Sequence, residues 1–335
     1  MVPMPSWKLF LVFSLLSAVS ALACAQGQIT DPGAKQICAS VKDAEPPATD
    51  RPSPAEEKDL ARCSSVDLYF GFGQAADPVK ARQCAYAELD RGDPPPLGGN
   101  ALLMMIYANG KGAERNFDLA LKLACVLPGD QPGDAAGRVH QLDRLRKMNW
   151  AGNNFSVCDH SSGRAFYEQC AILSERFDKI ERDRKFNELI SKWTPRQQKA
   201  FHAFMPQADA FFKVQANNGI NLEGTFEVQE EAFLRNNLLS SLQKFEQGEL
   251  PKFSTQDIER AEAEERATYQ RTQSGDTLRW GTVTRESLKV SEEAWQRYSK
   301  AWMALARERY PNVSARDWKA WLDQERLVSL GRFVH

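Results

Sequence analysis

Between Cys63 and Leu127 the chain repeats itself when shifted by 39 residues. Gly71-Phe72-Gly73 falls on Gly110-Lys111-Gly112, Asp77 on Asn116, Ala81 on Ala120 and Ala85 on Ala124. A period near 40 with alanines in the second half of each copy predicts pairs of helices, because Ala lets two helices approach closely and each pair buries its face on the next. No run of about four to eight residues alternates apolar and polar with Val, Ile and Thr enrichment, so the remainder reads as helical too. The expected fold class is all-α: a short helical repeat, then long-helix bundle modules, stapled by disulfides.

The first residues predict a compartment. Lys8, an apolar stretch from Leu9 to Val19 and the small-residue run Ser20 to Ala25 have the order of a cleaved secretory signal, and the apolar part is too short to span a bilayer. No transmembrane segment is expected elsewhere. Two cleavage sites overlap, one leaving Cys24 first and one leaving Gln26; a lipoprotein ending at Cys24 is the less favoured alternative, because Ala21 stands where such signals usually have Leu. The expected location is periplasmic or secreted. Removal of residues 1–25 takes one of seven cysteines and leaves six: Cys38, Cys63, Cys84, Cys125, Cys158 and Cys170. An even set in an exported chain predicts disulfides. The expected pairs are Cys158 with Cys170, Cys84 with Cys125 and Cys38 with Cys63.

The 335 residues allow two domains, and 43 basic against 44 acidic side chains exclude a general nucleic-acid binder. Residues 26–61, rich in Pro, Ala and acidic side chains, read as an extended leader, anchored by Cys38 and Cys63. Residues 62–149 hold the repeat, with a helix from Ala135 to Met148 as its C-terminal cap, and 150–253 and 254–335 hold the bundle modules. Helix starts are marked by Thr194-Pro195 with Gln197, Ser254 with Asp257 and Ser314 with Asp317; Gly219, Gly248 and Gly275 mark stops. Amphipathic faces run through Leu173, Phe177 and Ile180, and through Leu288, Trp295, Tyr298, Trp302 and Leu305.

Two resemblances attach to these residues. Asn100 to Gly112, followed by Asn116 to Ala124, is similar to a Sel1-type repeat, which implies helix pairs joined by a Gly-x-Gly turn and a concave partner-binding surface. The first copy, Asp67 to Leu89, departs from that pattern at its start. Ser287-Leu288, Trp295 to Tyr298, Trp302, Trp318, Leu322, Glu325 to Leu327 and Leu330 resemble the LprI-type helical module, named for a bacterial lysozyme inhibitor, with Glu292 in the usual Gln place and no flanking cysteines. Cys158 to Gly163 with Cys170 resembles the N-terminal part of such modules. A fainter second copy places Ala208, Phe212 and Ala216 86 residues before Ala294, Tyr298 and Trp302, and Leu238 to Ser240 89 before Leu327 to Ser329. The resemblance implies a protein partner, a lysozyme-type muramidase.

Motifs for chemistry are sparse. Gly110-Lys111-Gly112-Ala113 lacks the earlier glycine and the hydroxyl of a phosphate loop, there is no Gly-x-Ser-x-Gly, and His140, His160, His202 and His335 are far apart. The runs Glu259 to Arg266 and Glu181 to Lys185 read as solvated helix faces with internal ion pairs rather than a glycosidase pair. Trp295, Tyr298 and Trp302 have core spacing. Exposed binding residues are instead sought in the Asn217 to Thr225 loop, the Asp130 to Asp134 loop and the face near Tyr107. Asn154 and Asn312 lie in sugar-acceptor sequons. The expected function is non-catalytic protein binding, with no cofactor or metal. The alternatives are an envelope scaffold acting through the repeat face and an enzyme acting on cell-wall glycan.

Overall fold

The computed structural model describes residues 29–92, 94–127, 132–160, 164–222, 227–274 and 280–331, and they form thirteen α-helices and no strand. They fall into two units: residues up to Phe70 with Asp77–Gly163, and Gly71–Ala76 with the chain from Arg164 onward. The residues of the expected signal and Cys24 lie outside the described part, as do Gly275 and the first two residues of the Asp130 to Asp134 loop, whose last three open a helix.

The first unit is built on two helix pairs, α3 (Ser65–Phe70) with α4 (Pro78–Asp90) and α5 (Gly99–Asn109) with α6 (Phe117–Val126), followed by α7 (Pro132–Lys147). The 39-residue shift holds in the backbone. Gly71, Gly73, Gly110 and Gly112 all have positive φ, which a side chain would strain. Asp77 caps α4 by accepting from the Lys80 amide, and Asn116 caps α6 by accepting from the Leu119 amide. The Asp77 amide donates to the Leu68 carbonyl at 2.8 Å and the Asn116 amide to the Tyr107 carbonyl at 3.0 Å, the same bond one period later. Ala81, Ala85, Ala120 and Ala124 are fully buried where the helices meet. Every residue of α5 from Ala101 to Ala108 is buried, the state of a helix apolar on all sides. The Glu88 carboxylate joins the pairs: it accepts from the Ser65 amide at 2.9 Å, the Ser65 hydroxyl at 2.6 Å and the Gly99 amide at 3.0 Å. Two of these donors are orphan amides at helix N-termini, which favour a buried anion.

The leader is not simply extended. It forms α1 (Pro32–Ser40), a single 3₁₀ turn at Ala48–Asp50 and α2 (Pro54–Asp59), with Asp31 and Ser53 capping helices that begin at proline. This strap crosses the helices in the reverse of their chain order. Asp31 meets His140 of α7 at 2.8 Å; Lys122 of α6 donates to the Ala44 carbonyl at 2.7 Å; Asp50 meets Tyr107 of α5; Gln83 of α4 donates to Glu56 at 3.1 Å. Its disulfides correct the expected pairing: Cys38 is bonded to Cys125 rather than Cys63, and Cys84 to Cys63 rather than Cys125, so the leader is anchored at α6 and the residue that follows it at α4. Cys158 and Cys170 are disulfide-bonded as well.

The second unit contains α8 (Arg164–Ile190), α9 (Pro195–Asn218), α10 (Glu227–Glu246), α11 (Thr255–Ser274), α12 (Arg285–Arg309) and α13 (Ala315–Leu330). Thr194 with Gln197 makes the expected capping box, and Ser314 accepts from the Asp317 amide. Thr284 and Ser287 cap α12 reciprocally, a start that the Ser in place of Glu or Gln concealed. α9 continues through Pro206, at the cost of one backbone hydrogen bond. The six helices form two sets of three arranged alike: α8 and α9 pack on α10, α11 and α12 pack on α13, and α9 and α12 are the central pair. Phe212 and Tyr298, the residues 86 apart in sequence, face each other at 5.9 Å. The later correspondence fails, since Leu239 is buried while Val328 is 70% exposed. Trp193, Phe201, Phe204, Phe211, Phe245, Trp295, Trp302 and Trp318 join them in one aromatic core. Ring pairs such as Trp302 with Trp318, 5.5 Å and edge-on, add about 0.5–1.5 kcal/mol each beyond area burial. Trp295, Tyr298 and Trp302 are therefore packing residues, not a binding strip.

Candidate functional site

An open apolar concavity lies between α8 and α10, with a volume of about 340 Å³. It exists because Ala171 and Ser174 of α8 meet Ala232 of α10 where larger side chains would interdigitate, leaving the groove unfilled. Val228 lines it, and Phe233, 48% exposed, stands beside it. The α8 side of the lining is acidic. Glu175 pairs with the buried Arg182 at 2.5 Å, and Arg182 also donates to Asn236 of α10 at 3.3 Å, tying the two helices together along the groove. Asp178 is exposed and forms no ion pair among the described residues. Arg182 departs from the expectation that the Glu181 to Lys185 run is wholly solvated. Its neighbours meet that expectation: Arg184 bridges Glu181 at 2.8 Å and Glu188 at 3.0 Å, and the Arg184 guanidinium beside Glu181 holds that carboxyl down to about 2.

A second concavity of about 450 Å³ lies further along the same helices, lined by Arg184, Lys185, Glu188, Lys192, Gln243 and Glu246. Glu246 is committed to Arg309 at 2.5 Å and to the Tyr310 hydroxyl at 2.9 Å. This is a charged surface on which Arg184 pairs with Glu188, while Lys185 pairs with Glu181 outside the lining. Phe177 and Ile180, expected on a buried face of α8, are 42% and 56% exposed; the Phe177 ring lies 4.9 Å from that of Phe72.

The remaining sequence candidates resolve differently. Tyr107 is 1% exposed, because the strap covers it. The Asn217 to Thr225 loop is described only as far as residue 222, where the Leu222 amide donates to Thr282 at 2.9 Å. Within the Glu259 to Arg266 run, Glu265 is half-buried, and burial followed by the nearby Glu292 and Asp323 carboxylates raises its pKa. It faces the buried link of the second unit: Arg326, 1% exposed, donates to Glu292 at 3.1 Å and to Gln215 of α9 at 3.2 Å. Glu292 and Arg326 both belong to the residues that resemble the LprI-type module, and their contact is visible only in the fold. No group of three or more His, Cys, Asp or Glu among the described residues is placed to hold a metal ion, and no described helix is long and apolar enough to cross a membrane. Comparison with protein-family models, with curated proteins and with solved structures finds no match to this chain.

Proposed function

We propose that the protein is an exported, non-catalytic protein-binding protein and that the groove between α8 and α10 is its contact surface. The observation that carries this reading is the combination of Phe233, nearly half exposed, with an apolar channel whose other wall offers the exposed carboxylate of Asp178, Glu175 being committed to Arg182. Such a groove suits a protruding loop with an aliphatic stem and a Lys or Arg tip. The LprI-type resemblance of the second unit supplies the partner class, a lysozyme-type muramidase inhibited by occlusion of its cleft. The chain is close to neutral overall, so long-range attraction does not bring such a partner in and local fit has to. The disulfides suit an oxidising compartment.

The test is titration of the protein into a muramidase lysis assay together with a direct binding measurement. Lysis slows in proportion to added protein, and Phe233→Asp weakens both readouts by about tenfold or more, the scale of an anchor residue lost from an interface. Absence of binding and of any slowing at micromolar excess removes the muramidase as partner.

A further inference from the structure

The strap is tied to the repeat by its two disulfides and by side-chain contacts along its length, among them Lys122 with Glu45 and Arg82 with Asp50. Between Val41 and Pro52, both buried, the residues from Lys42 to Arg51 are exposed or half-buried. Glu45 pairs with Lys122 of α6 at 2.5 Å on the surface, whereas the carboxylate of Asp50 reaches inward to buried Arg82 and Tyr107. One of its oxygens accepts from the Tyr107 hydroxyl at 2.8 Å and the other lies 3.3 Å from Arg82, whose Nε also donates to the Asp50 carbonyl at 3.0 Å. Arg51 lies over the Tyr86 ring at 4.8 Å, and Pro46, Pro47 and Pro52 frame the segment.

The receiving side is organised without the strap. Arg82 is fixed from within the repeat by donating to the Gly112 carbonyl, at the second Gly-x-Gly turn. The Tyr86 and Tyr107 hydroxyls share a 2.8 Å hydrogen bond between α4 and α5. Arg82 is only 8% exposed, so removing Asp50 alone would leave a buried guanidinium short of its counter-charge. A positive group and a hydroxyl held in place by the repeat, and filled by a carboxylate from a segment outside it, are the makings of a ligand site. The covalent ties at either end, Cys38–Cys125 and Cys63–Cys84, keep the occupant at high effective concentration.

We propose that Arg82, Tyr86 and Tyr107 form a recognition site for an aspartate carboxylate on a proline-framed peptide, filled in cis by Asp50 and available to the same chemistry on another protein chain once the strap is released. The site is separate from the α8–α10 groove and does not depend on the muramidase reading.

The experiment uses the full chain carrying Cys38→Ser and Cys125→Ser to free one end of the strap, with Asp50→Asn to weaken the cis occupant. The probe is a fluorescent peptide copying residues 44–53, compared with the same peptide bearing Asn for its Asp. Saturable anisotropy binding is expected, about tenfold or more tighter for the Asp peptide, and blocked in the disulfide-intact chain without substitutions. Tyr107→Phe in the same background, which keeps the ring, weakens binding about fivefold. Should the freed variant fail to fold, Asp50→Asn in the disulfide-intact chain reads the same contact in cis: amide exchange over residues 44–52 speeds about tenfold while that of α5 is unchanged. No saturable binding, equal binding of the two peptides, or unchanged strap exchange overturns the proposal.

Discussion

Arg326 is a guanidinium 1% exposed, and its surroundings decide what its loss does. Its Nε and Nη2 both reach the same Glu292 oxygen, at 3.2 and 3.1 Å, while Gln296 serves the other Glu292 oxygen at 3.2 Å and Gln215 takes Nη1. Removing one partner strands the other in a low-dielectric site, so Arg326→Met alone should destabilise the second unit by about 3–5 kcal/mol. Pairing it with Glu292→Leu should recover most of that loss, because two apolar side chains leave no buried charge behind. Urea unfolding of the two variants checks both statements; equal destabilisation by the single and double variants would contradict them. The identities of both residues were legible in sequence, but their meeting was not. They lie 34 positions apart on different helices, and only the crossing of α12 and α13 brings them together.

At the scale of elements, α11 is the helix with the thinnest apolar attachment in the second unit. Its share of a core with α13 is Ile258 and Ala261 against Ala320, with Phe253 alongside. Beyond these contacts Glu265 faces Glu292 of α12 and Asp323, Lys319 and Arg326 of α13, with Glu262, Arg266 and Tyr269 on its own helix. Burial, then the neighbouring carboxylates, raises the pKa of Glu265, and burial raises that of Asp323. The folded state therefore holds these protons more tightly than the unfolded state. Their contribution is fully present below the unfolded carboxylate range and is lost as pH rises through the folded values. Glu265→Gln should accordingly raise the melting temperature more at pH 7 than at pH 4; an equal shift at both would show that Glu265 titrates normally. The charged run of α11 was legible as a mostly solvated face, and the inward turn of Glu262 and Glu265 was not, since the pattern Glu262-Ala263-Glu264-Glu265 gives no clue to which members turn in. The strap shows the opposite limit. Helices of 9 and 6 residues are too short to display a period, yet Asp31-Pro32 and Ser53-Pro54 with Glu56 carry readable start signals that the surrounding prolines masked.

At the scale of the whole molecule the two units rely on different forces. Six of the eight tryptophans, Trp193, Trp280, Trp295, Trp302, Trp318 and Trp321, lie in the second unit, and the chain has no cysteine after Cys170. The first unit contains both Cys38–Cys125 and Cys63–Cys84. Reduction should therefore lower the stability of the first unit by about 2–5 kcal/mol per bond, read by far-UV circular dichroism, while the tryptophan-fluorescence transition moves little. A large, equal shift in both signals would show that the second unit depends on the bridges. The all-α class and the 39-residue register were readable because turn glycines, caps and alanines each recur at one spacing. The bridge pattern was not, because it depends on the strap turning back across helices not yet written at that point in the chain. That reversal has a consequence for biosynthesis. The first two thiols of the described chain, Cys38 and Cys63, are not partners, and Cys38 waits for a residue 87 positions further on. Joining thiols in order of appearance gives Cys38–Cys63 and Cys84–Cys125, both of which must be undone. Adding a disulfide isomerase during oxidative refolding should therefore raise the yield of correctly bridged protein more than adding oxidant does.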